Sequence, residues 1–151
     1  MVSSSQVSAE RVIHASPEAI FDVLADPAQH PVIDGSGTVQ SAKNPPGRLT
    51  LGSTFGMAMR NRVPYATKPT VVEFEDDRRI AWRNKGGPIW RYELIPEGDG
   101  TRVVETYDLR GALGGFMLKR THLPARTQEN MARTLAKLEQ LVVGVPPRAD
   151  S

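Results

Sequence analysis

The chain offers few residues whose types and spacing are suited to acid–base chemistry. His30 and Asp34 lie four positions apart, so on a helical turn they would share a face and could form an imidazole–carboxylate pair. The alternative is a surface histidine and an aspartate that forms a turn ahead of Gly35. The sequence leaves both interpretations open.

Three further residues complete the set of catalytic candidates. His122, shortly before Pro124, has the same two interpretations as His30. Tyr65 and Tyr107 carry phenols that could assist enolisation or loss of water from a bound substrate. No catalytic motif singles out any of these residues, so the sequence does not decide whether the protein is an enzyme.

Composition and spacing exclude other chemistries. Zero cysteines in 151 residues exclude disulfides, thiolate metal sites and a cysteine nucleophile. The three histidines are far apart and no acidic cluster has calcium-loop spacing, so no metal site is predicted. The glycine-rich residues 111–115 lack the Lys-Ser/Thr of a phosphate-binding loop, and G-x-S-x-G is absent. We therefore expect no cofactor.

Aromatic and methionine side chains alternate with polar ones along the middle of the chain. If the alternation is in register, they face one side of a sheet, either as the walls of a ligand cavity or as an ordinary solid core. Apolar residues of the C-terminal segments would complete this candidate ligand-binding set. The set is Phe55, Met57, Met59, Phe74, Trp82, Trp90, Tyr92, Tyr107, Met117, Met131 and Leu135.

Charged residues occupy the alternate positions of the same strands. Cross-strand ion pairs on a solvated outer face are the simplest interpretation. A single inward arginine could instead hold a ligand carboxylate, but the sequence does not indicate which one. The residues concerned are Glu73, Glu75, Glu93, Glu105, Arg60, Arg62, Arg83 and Arg91.

The elements that would position these residues follow from periodicity and capping. A first strand over residues 6–14 is followed by a helix, with Ser16 as N-cap and Pro17 at its first position, which Asp26 and Pro27 end. A short helical turn follows over residues 28–33.

The period then changes to two. Strands are predicted over residues 54–63, 70–75, 79–83, 89–95 and 101–109, with Val72 and Phe74 inward on the second of these. The inward face of the last strand is undecided because Val103 and Val104 are adjacent.

The chain is predicted to end in helices. A short helical segment is predicted over residues 111–119. A long helix follows from Pro124, with Met131, Leu135, Leu138 and Val142 on its apolar face.

This order predicts one α+β domain over residues 6–143, with flexible tails at 1–5 and 144–151. A net charge of +2 gives no indication of nucleic-acid binding. No targeting signal or membrane-spanning stretch is present, so we expect a cytoplasmic protein. A monomer and a homodimer are both compatible with the sequence.

Three stretches carry a resemblance to a known family. Residues 13–27 read IHASPEAIFDVLADP, with an S-P-E-x-I-F-x-x-L motif, and the strands and last helix include GTRVVE at 100–105 and MARTLAKL at 131–138. In this order they resemble the START-like SRPBCC superfamily, and within it the bacterial polyketide cyclase/dehydrase group. The resemblance implies a helix-grip (START/Bet v 1-like) fold, in which a curved seven-stranded antiparallel sheet wraps a long C-terminal helix, with two short helices after the first strand.

The resemblance also implies a cavity between sheet and helix, but no single activity. The first hypothesis is binding of a small hydrophobic ligand, such as a polyketide, lipid or aromatic metabolite. The second is a cyclase or dehydratase that acts on such a ligand, and the third is a protein-interaction domain without a ligand.

Overall fold

The computed structural model describes residues 6–110 and 123–143. Within these ranges it contains three α-helices and eight strands, and the strands form two antiparallel sheets. The elements are β1 Gln6–Ile13, α1 Pro17–Leu24, α2 His30–Ile33, β2 Val39–Lys43, β3 Gly56–Asn61, β4 Val63–Thr67, β5 Thr70–Glu75, β6 Arg79–Arg83, β7 Ile89–Glu97, β8 Gly100–Asp108 and α3 Leu123–Val142, with a 3₁₀ turn at Pro27–Gln29 between α1 and α2.

The capping signals after β1 act as predicted. The Ser16 side chain accepts a hydrogen bond from the Ala19 N–H at 3.1 Å, and Pro17 takes the first helical position of α1. The Asp26 side chain then caps the 3₁₀ turn through the Ala28 N–H. These short helices place His30 and the residues that follow it beside α3.

The two sheets are joined at one corner. Five strands have the order β1-β8-β7-β6-β5 and three have the order β2-β3-β4. A bridge between Thr54 and Thr70, with a hydrogen bond from the Phe55 N–H to the Pro69 carbonyl, connects them. Together they form the curved antiparallel surface under a C-terminal helix that the helix-grip expectation requires, and that expectation is confirmed.

The structure contains two strands, β2 and β4, that the sequence did not predict as separate elements. The predicted strand over 54–63 breaks at Arg62, whose φ of 68° ends β3 and begins β4. β4 is an exposed edge strand that contains Pro64, and β2 has few apolar residues, so neither shows a strand signal.

The orientation predicted for Val72 is wrong. A β-bulge between Val71 and Glu73 shifts the register of β5, which buries Val71 and leaves Val72 37% exposed. Phe74 stays inward and packs edge-on against Phe21 of α1, with ring centroids 5.5 Å apart. An adjacent Val-Val pair does not reveal such a bulge in the sequence.

The long helix α3 packs on the sheet through the face that its periodicity predicted. Leu135, Leu138 and Val142 are buried in the main hydrophobic core together with Leu94 and Val103. No helix in residues 6–110 and 123–143 is long and apolar enough to cross a membrane. The short helix predicted over 111–119 lies outside the described residues.

The turn after α2 approaches the α3 backbone at Gly35. The Gly35 N–H donates to Thr134 Oγ1 at 2.9 Å, and Arg133 Nε donates to the Gly35 carbonyl at 3.1 Å. A Cβ on Gly35 would lie 2.7 Å from the Thr134 nitrogen and 2.7 Å from the Arg133 Cβ. This position therefore needs a glycine because of a close approach rather than because of its φ.

Leu135→Ala is expected to lower the free energy of unfolding by about 2–5 kcal/mol, because Leu135 is 1% exposed and its removal leaves a cavity. Glu129→Ala, on the exposed face of the same helix, is the matched control and should cost under about 1 kcal/mol. Urea unfolding of both variants measures the difference, and equal costs would contradict this orientation of α3.

Gly35→Ala is expected to destabilise the fold by about 1–3 kcal/mol, because a methyl group there overlaps backbone and Cβ atoms of α3. Thermal unfolding measures the loss. An unchanged midpoint would show that the turn and α3 are not in close contact.

Candidate functional site

A cavity of about 610 Å³ lies between the sheets and the N-terminal half of α3. Its walls come from α2 and the loop after it, from β2, β3, β4, β6, β7 and β8, and from α3. This volume is within the range of roughly 300–1,000 Å³ that is typical of small-molecule sites.

Eight of the predicted ligand-binding residues lie along this cavity. Their shared inward orientation follows from strand alternation and from the apolar face of α3. They are Phe55, Met57, Met59, Trp82, Trp90, Tyr92, Tyr107 and Met131.

The other three predicted residues do not contribute to the described walls. Phe74 packs against Phe21, and Leu135 lies in the core, one helical turn beyond Met131. Met117 is outside the described residues.

The aromatic side chains form a continuous wall. The His30 ring stacks on Trp82 with centroids 4.8 Å apart, and Phe55 meets both rings edge-on at 5.3 and 5.5 Å. Trp82 continues to Tyr92 at 5.7 Å. Such edge-to-face and offset contacts are favourable for aromatic groups and make the wall rigid.

A second aromatic pair continues the wall along the neighbouring strands. Trp90 and Tyr107 are cross-strand partners on β7 and β8, and their rings are 4.4 Å apart. Burial raises the pKa of the Tyr107 phenol, so this side chain stays neutral at ordinary pH.

His30 has a structural partner in α1. Its Nε2 lies 2.9 Å from the Leu24 carbonyl oxygen, and since a carbonyl only accepts, Nε2 carries the proton. Burial lowers the pKa of the imidazole. His30 is therefore a neutral ring that packs in the aromatic wall.

Asp34 forms the turn after α2 rather than an acid–base pair. Its Oδ1 accepts from the Ser36 N–H and hydroxyl at 3.0 and 2.7 Å, and its Oδ2 accepts from the Val39 N–H at 3.0 Å. Within the described residues, no hydrogen bond or ion pair joins the Asp34 and His30 side chains, and the two residues share only the helical hydrogen bond from the Asp34 N–H to the His30 carbonyl at 3.0 Å. Of the two interpretations, the structure supports the turn-forming aspartate, although both side chains line the cavity.

The remaining catalytic candidates have different positions. Tyr65 lies on the edge strand β4, where it lines the cavity and is 45% exposed. Tyr107 lines the cavity more deeply, and His122 lies outside the described residues.

The outer face carries ion pairs, of which Arg91–Glu73 joins two residues of the predicted set. Arg91 holds Glu73 through two hydrogen bonds of 2.9 and 2.7 Å, and this contact lowers the pKa of the Glu73 carboxyl. Arg79 pairs with its cross-strand partner Glu93 at 3.0 Å.

Two arginines reach the cavity. Of the four strand arginines in the predicted set, Arg83 lines it, and Arg126 of α3 joins it from the opposite wall. The alternation of charged residues along the strands did not distinguish Arg83 from Arg60, Arg62 and Arg91.

Glu105 corrects the prediction of an outer-face charge. It is 2% exposed and lines the cavity. The signal was present in the sequence, since Glu105 lies two residues before the inward Tyr107 and two after Val103, and residues of equal parity share a face. Val103 is buried in the core, which also settles the face of β8 that the sequence left undecided.

Burial dominates the protonation of Glu105. Desolvation raises the pKa of its carboxyl to about 8, against the hydrogen-bonding influence of Tyr92, its cross-strand partner, which favours the charged form. Asp34 adds a further upward influence. Glu105 Oε1 has no hydrogen-bond partner among the residues that the structure describes. At neutral pH this side chain is predominantly a neutral acid.

Polar side chains that can form hydrogen bonds also line the cavity, among them Asn61, Asn84 and Asn130. Within residues 6–110 and 123–143, no three His, Asp or Glu side chains come close enough together to hold a metal ion.

Glu105 should make stability fall as the pH rises from about 5 to 8. Its pKa is about 8 in the folded protein and near 4.5 when unfolded, so the folded state binds more protons across this window. The slope approaches about 1.4 kcal/mol per pH unit from this group alone. The lowered pKa of His30 acts in the opposite direction below about pH 6.5.

Urea unfolding of the wild type and of Glu105→Gln across pH 5–8 isolates the contribution of Glu105. The variant lacks the titrating acid, so its stability relative to the wild type should rise with pH. A constant difference between the two proteins would show that Glu105 is ionised throughout.

Comparison with solved structures places the fold among known ones. Protein NE0264 from Nitrosomonas europaea superposes with a TM-score of 0.74 at 16% identity, over 93% of this chain and 96% of that one. The Aha1 dimer protein from Colwellia psychrerythraea gives a TM-score of 0.67 at 16% identity, over 97% and 100%. At these identities the likeness shows the fold.

Sequence comparison finds a relative of this chain in Mycobacterium tuberculosis, strain H37Rv. The uncharacterized protein Rv0088 is 35% identical over 101 residues, which make up 65% of this chain and 45% of the relative. The match thus spans less than half the length of that protein.

The family described as polyketide cyclase / dehydrase and lipid transport matches residues 4–143, nearly the whole chain. The match covers every element that lines the cavity, and it agrees with the helix-grip architecture and with the motif at residues 16–24. The chain belongs to this polyketide cyclase / dehydrase and lipid transport family, and its fold is that of a ligand-binding domain.

Proposed function

We propose that the protein binds one small, mainly apolar ligand in the cavity between the sheets and α3. The observation that carries this proposal is the cavity of about 610 Å³, with nine phenylalanine, tyrosine, tryptophan and methionine side chains in its walls. A polyketide, a lipid or an aromatic metabolite would each be compatible with this volume.

The chemistry of the walls favours a ligand with flat, unsaturated parts. Trp82, Tyr92 and Phe55 present aromatic faces and edges that are already held in place by one another. Met57, Met59 and Met131 add flexible side chains that adapt to ligand shape. Rigid aromatic walls lose little conformational entropy when a ligand binds.

A cyclase or dehydratase activity is the alternative, and Glu105 is the observation that favours it. A buried acid with a pKa near 8 is the kind of perturbed group that acid–base enzymes use. The imidazole and carboxylate of the first catalytic candidates have structural partners, so the candidates most open to a ligand are Glu105, Tyr107 and Tyr65. A carrier returns its ligand unchanged, whereas an enzyme of this kind returns a cyclised or dehydrated product.

The third alternative, an interaction domain without a ligand, is less well supported. Such a domain needs no internal space, and a filled core would have favoured it. The apolar lining of a cavity this large supports a role for its interior.

Binding of a neutral probe, N-phenyl-1-naphthylamine, is expected to change the emission of both tryptophans. The chain has two, and both line the cavity. Trp82→Phe leaves Trp90 as the single reporter, and Trp90→Phe leaves Trp82. We expect each single-tryptophan variant to show saturable energy transfer to the probe at one equivalent.

Met59→Trp tests whether the probe binds in the cavity. It puts a larger side chain in the cavity and should abolish probe binding, whereas Val63→Trp adds the same group at an exposed site nearby. Probe fluorescence measures both variants. Equal binding by Met59→Trp and Val63→Trp would place the probe outside the cavity and contradict the proposal.

A further inference from the structure

The cavity has an inner end that the strand register defines. On β7 and β8, the cross-strand pair Trp90–Tyr107 is followed by Tyr92–Glu105 and then by Leu94–Val103. The first two pairs line the cavity, and the third is buried in the hydrophobic core. Tyr92 and Glu105 therefore form the floor, with close-packed core beneath them.

Contacts of α3 with β1 show how far from the floor of the cavity each helix residue lies. Gln128 hydrogen-bonds the Ser8 carbonyl, and Ser8 is the cross-strand partner of Thr106. Arg11, the partner of Val103, pairs with Glu139 further along the helix. With a rise of about 1.5 Å per helical residue, Met131 and Thr134 reach the level of Glu105, and Arg126 lies towards the other end.

The floor carries one polar oxygen without a partner. Glu105 is 2% exposed, and its Oε1 has no hydrogen-bond partner within the described residues. Leaving such a group buried and unpaired is costly, so its partner is expected to arrive with the ligand. The phenol of Tyr92, the cross-strand partner, acts on the same carboxyl group through hydrogen bonding.

The carboxyl proton is assigned to the oxygen that has no partner. Burial raises the pKa of the Tyr92 phenol well above its usual value, so Tyr92 keeps its proton and is available as a donor to the carboxyl group. With Tyr92 as the donor, the proton of the neutral acid lies on Oε1, which meets the ligand as an O–H donor and needs an acceptor.

We propose that Glu105 is a specificity-determining residue that donates a hydrogen bond from Oε1 to a neutral carbonyl oxygen at the leading end of the ligand. This inference rests on the proposed function, and it narrows the ligand class to apolar molecules that end in a ketone or a similar uncharged carbonyl group.

The charges around the floor favour a neutral group over an ion. Asp34, on the loop after α2, contributes negative charge that would repel an anionic end. A cationic end would require Glu105 to ionise and two charges to be buried together, which is costly. The other titratable or charged groups that share the cavity are His30, Tyr65, Arg83, Tyr92, Tyr107 and Arg126.

Three probes of similar shape test the proposal: 2-acetylnaphthalene, the hydrocarbon 2-isopropenylnaphthalene, and the 1-(2-naphthyl)ethylammonium cation. Their dissociation constants are measured by displacement of N-phenyl-1-naphthylamine at pH 7. We expect the wild type to bind the ketone about tenfold more tightly than the hydrocarbon, and the cation most weakly.

Two variants of Glu105 separate hydrogen bonding from size. Glu105→Gln keeps a donor in similar volume and should retain the preference for the ketone within about threefold. Glu105→Leu removes the donor and should erase the preference while binding the hydrocarbon at least as well as the wild type does. Glu75→Leu makes the same change on an exposed position of β5 and should behave as the wild type. Circular dichroism checks that each variant is folded.

The pH dependence gives a second readout. As the pH rises through about 8, Glu105 loses the proton that it donates, so the wild-type preference for the ketone should disappear. In Glu105→Gln the preference for the ketone should stay constant as the pH rises.

Two results overturn the proposal in different ways. Equal affinities for ketone and hydrocarbon, or tightest binding of the cation, refute the role of Glu105 while the proposed function stands. Failure of the wild type to bind any of the three probes or N-phenyl-1-naphthylamine contradicts both.

Discussion

The packing of α3 along part of its length is the constraint on which the rest of the structure depends. Leu138 and Val142 lie in the core, and the Arg11–Glu139 ion pair of 2.8 Å holds this end of the helix to β1. A helix of 20 residues is a stiff rod of about 30 Å, so fixing one half sets the height of the other. The N-terminal half therefore spans the sheets with space beneath it, which is the cavity. The contact at Gly35 closes the side of that space with the turn after α2.

The pKa values of carboxyl groups are shifted in opposite directions on the two faces of the sheet. On the outer face, Arg91 lowers the pKa of Glu73, and hydrogen bonds from Arg110 lower the pKa of Asp108 to about 2. On the inner face, Glu105 is desolvated beside aromatic groups and stays protonated at neutral pH. An acid kept neutral at a cost in stability is typical of a binding or catalytic site rather than of a scaffold. Hydrogen-bond donation to a carbonyl also polarises it, so the ligand-binding and enzymatic interpretations share this residue.

Local signals in the sequence predicted much of the fold. Ser16 and Pro17 fix the start of α1 through backbone groups only a few residues away, and the period of Leu135, Leu138 and Val142 reports their common face directly. The alternation of apolar and polar residues along a strand is an equally local signal, and it placed Trp82, Trp90 and Tyr92 on the inner face. Features that depend on distant partners were missed: the bulge at Val71, the edge strand that contains Pro64, and the Leu24 carbonyl that binds His30.

Glu105 was missed for a different reason. Its parity with Val103 and Tyr107 puts it inside, but a charged residue is assigned to solvent by default because burying a charge is costly. That cost is avoided when the group is protonated, and neither the type of residue nor its spacing shows that this has happened. Conflicts between alternation and polarity of this kind mark functional positions.

Intermolecular nuclear Overhauser effects test the central claim, that a ligand occupies the cavity with its polar end at the floor. The protein is labelled with ¹³C at its methionine methyls, and 2-acetylnaphthalene is added. Met57, Met59 and Met131 line the cavity, so their methyls should show contacts to the probe, with the acetyl methyl close to Met131 at the level of Glu105. Saturable binding of the probe without contacts to these three methyls would contradict the account.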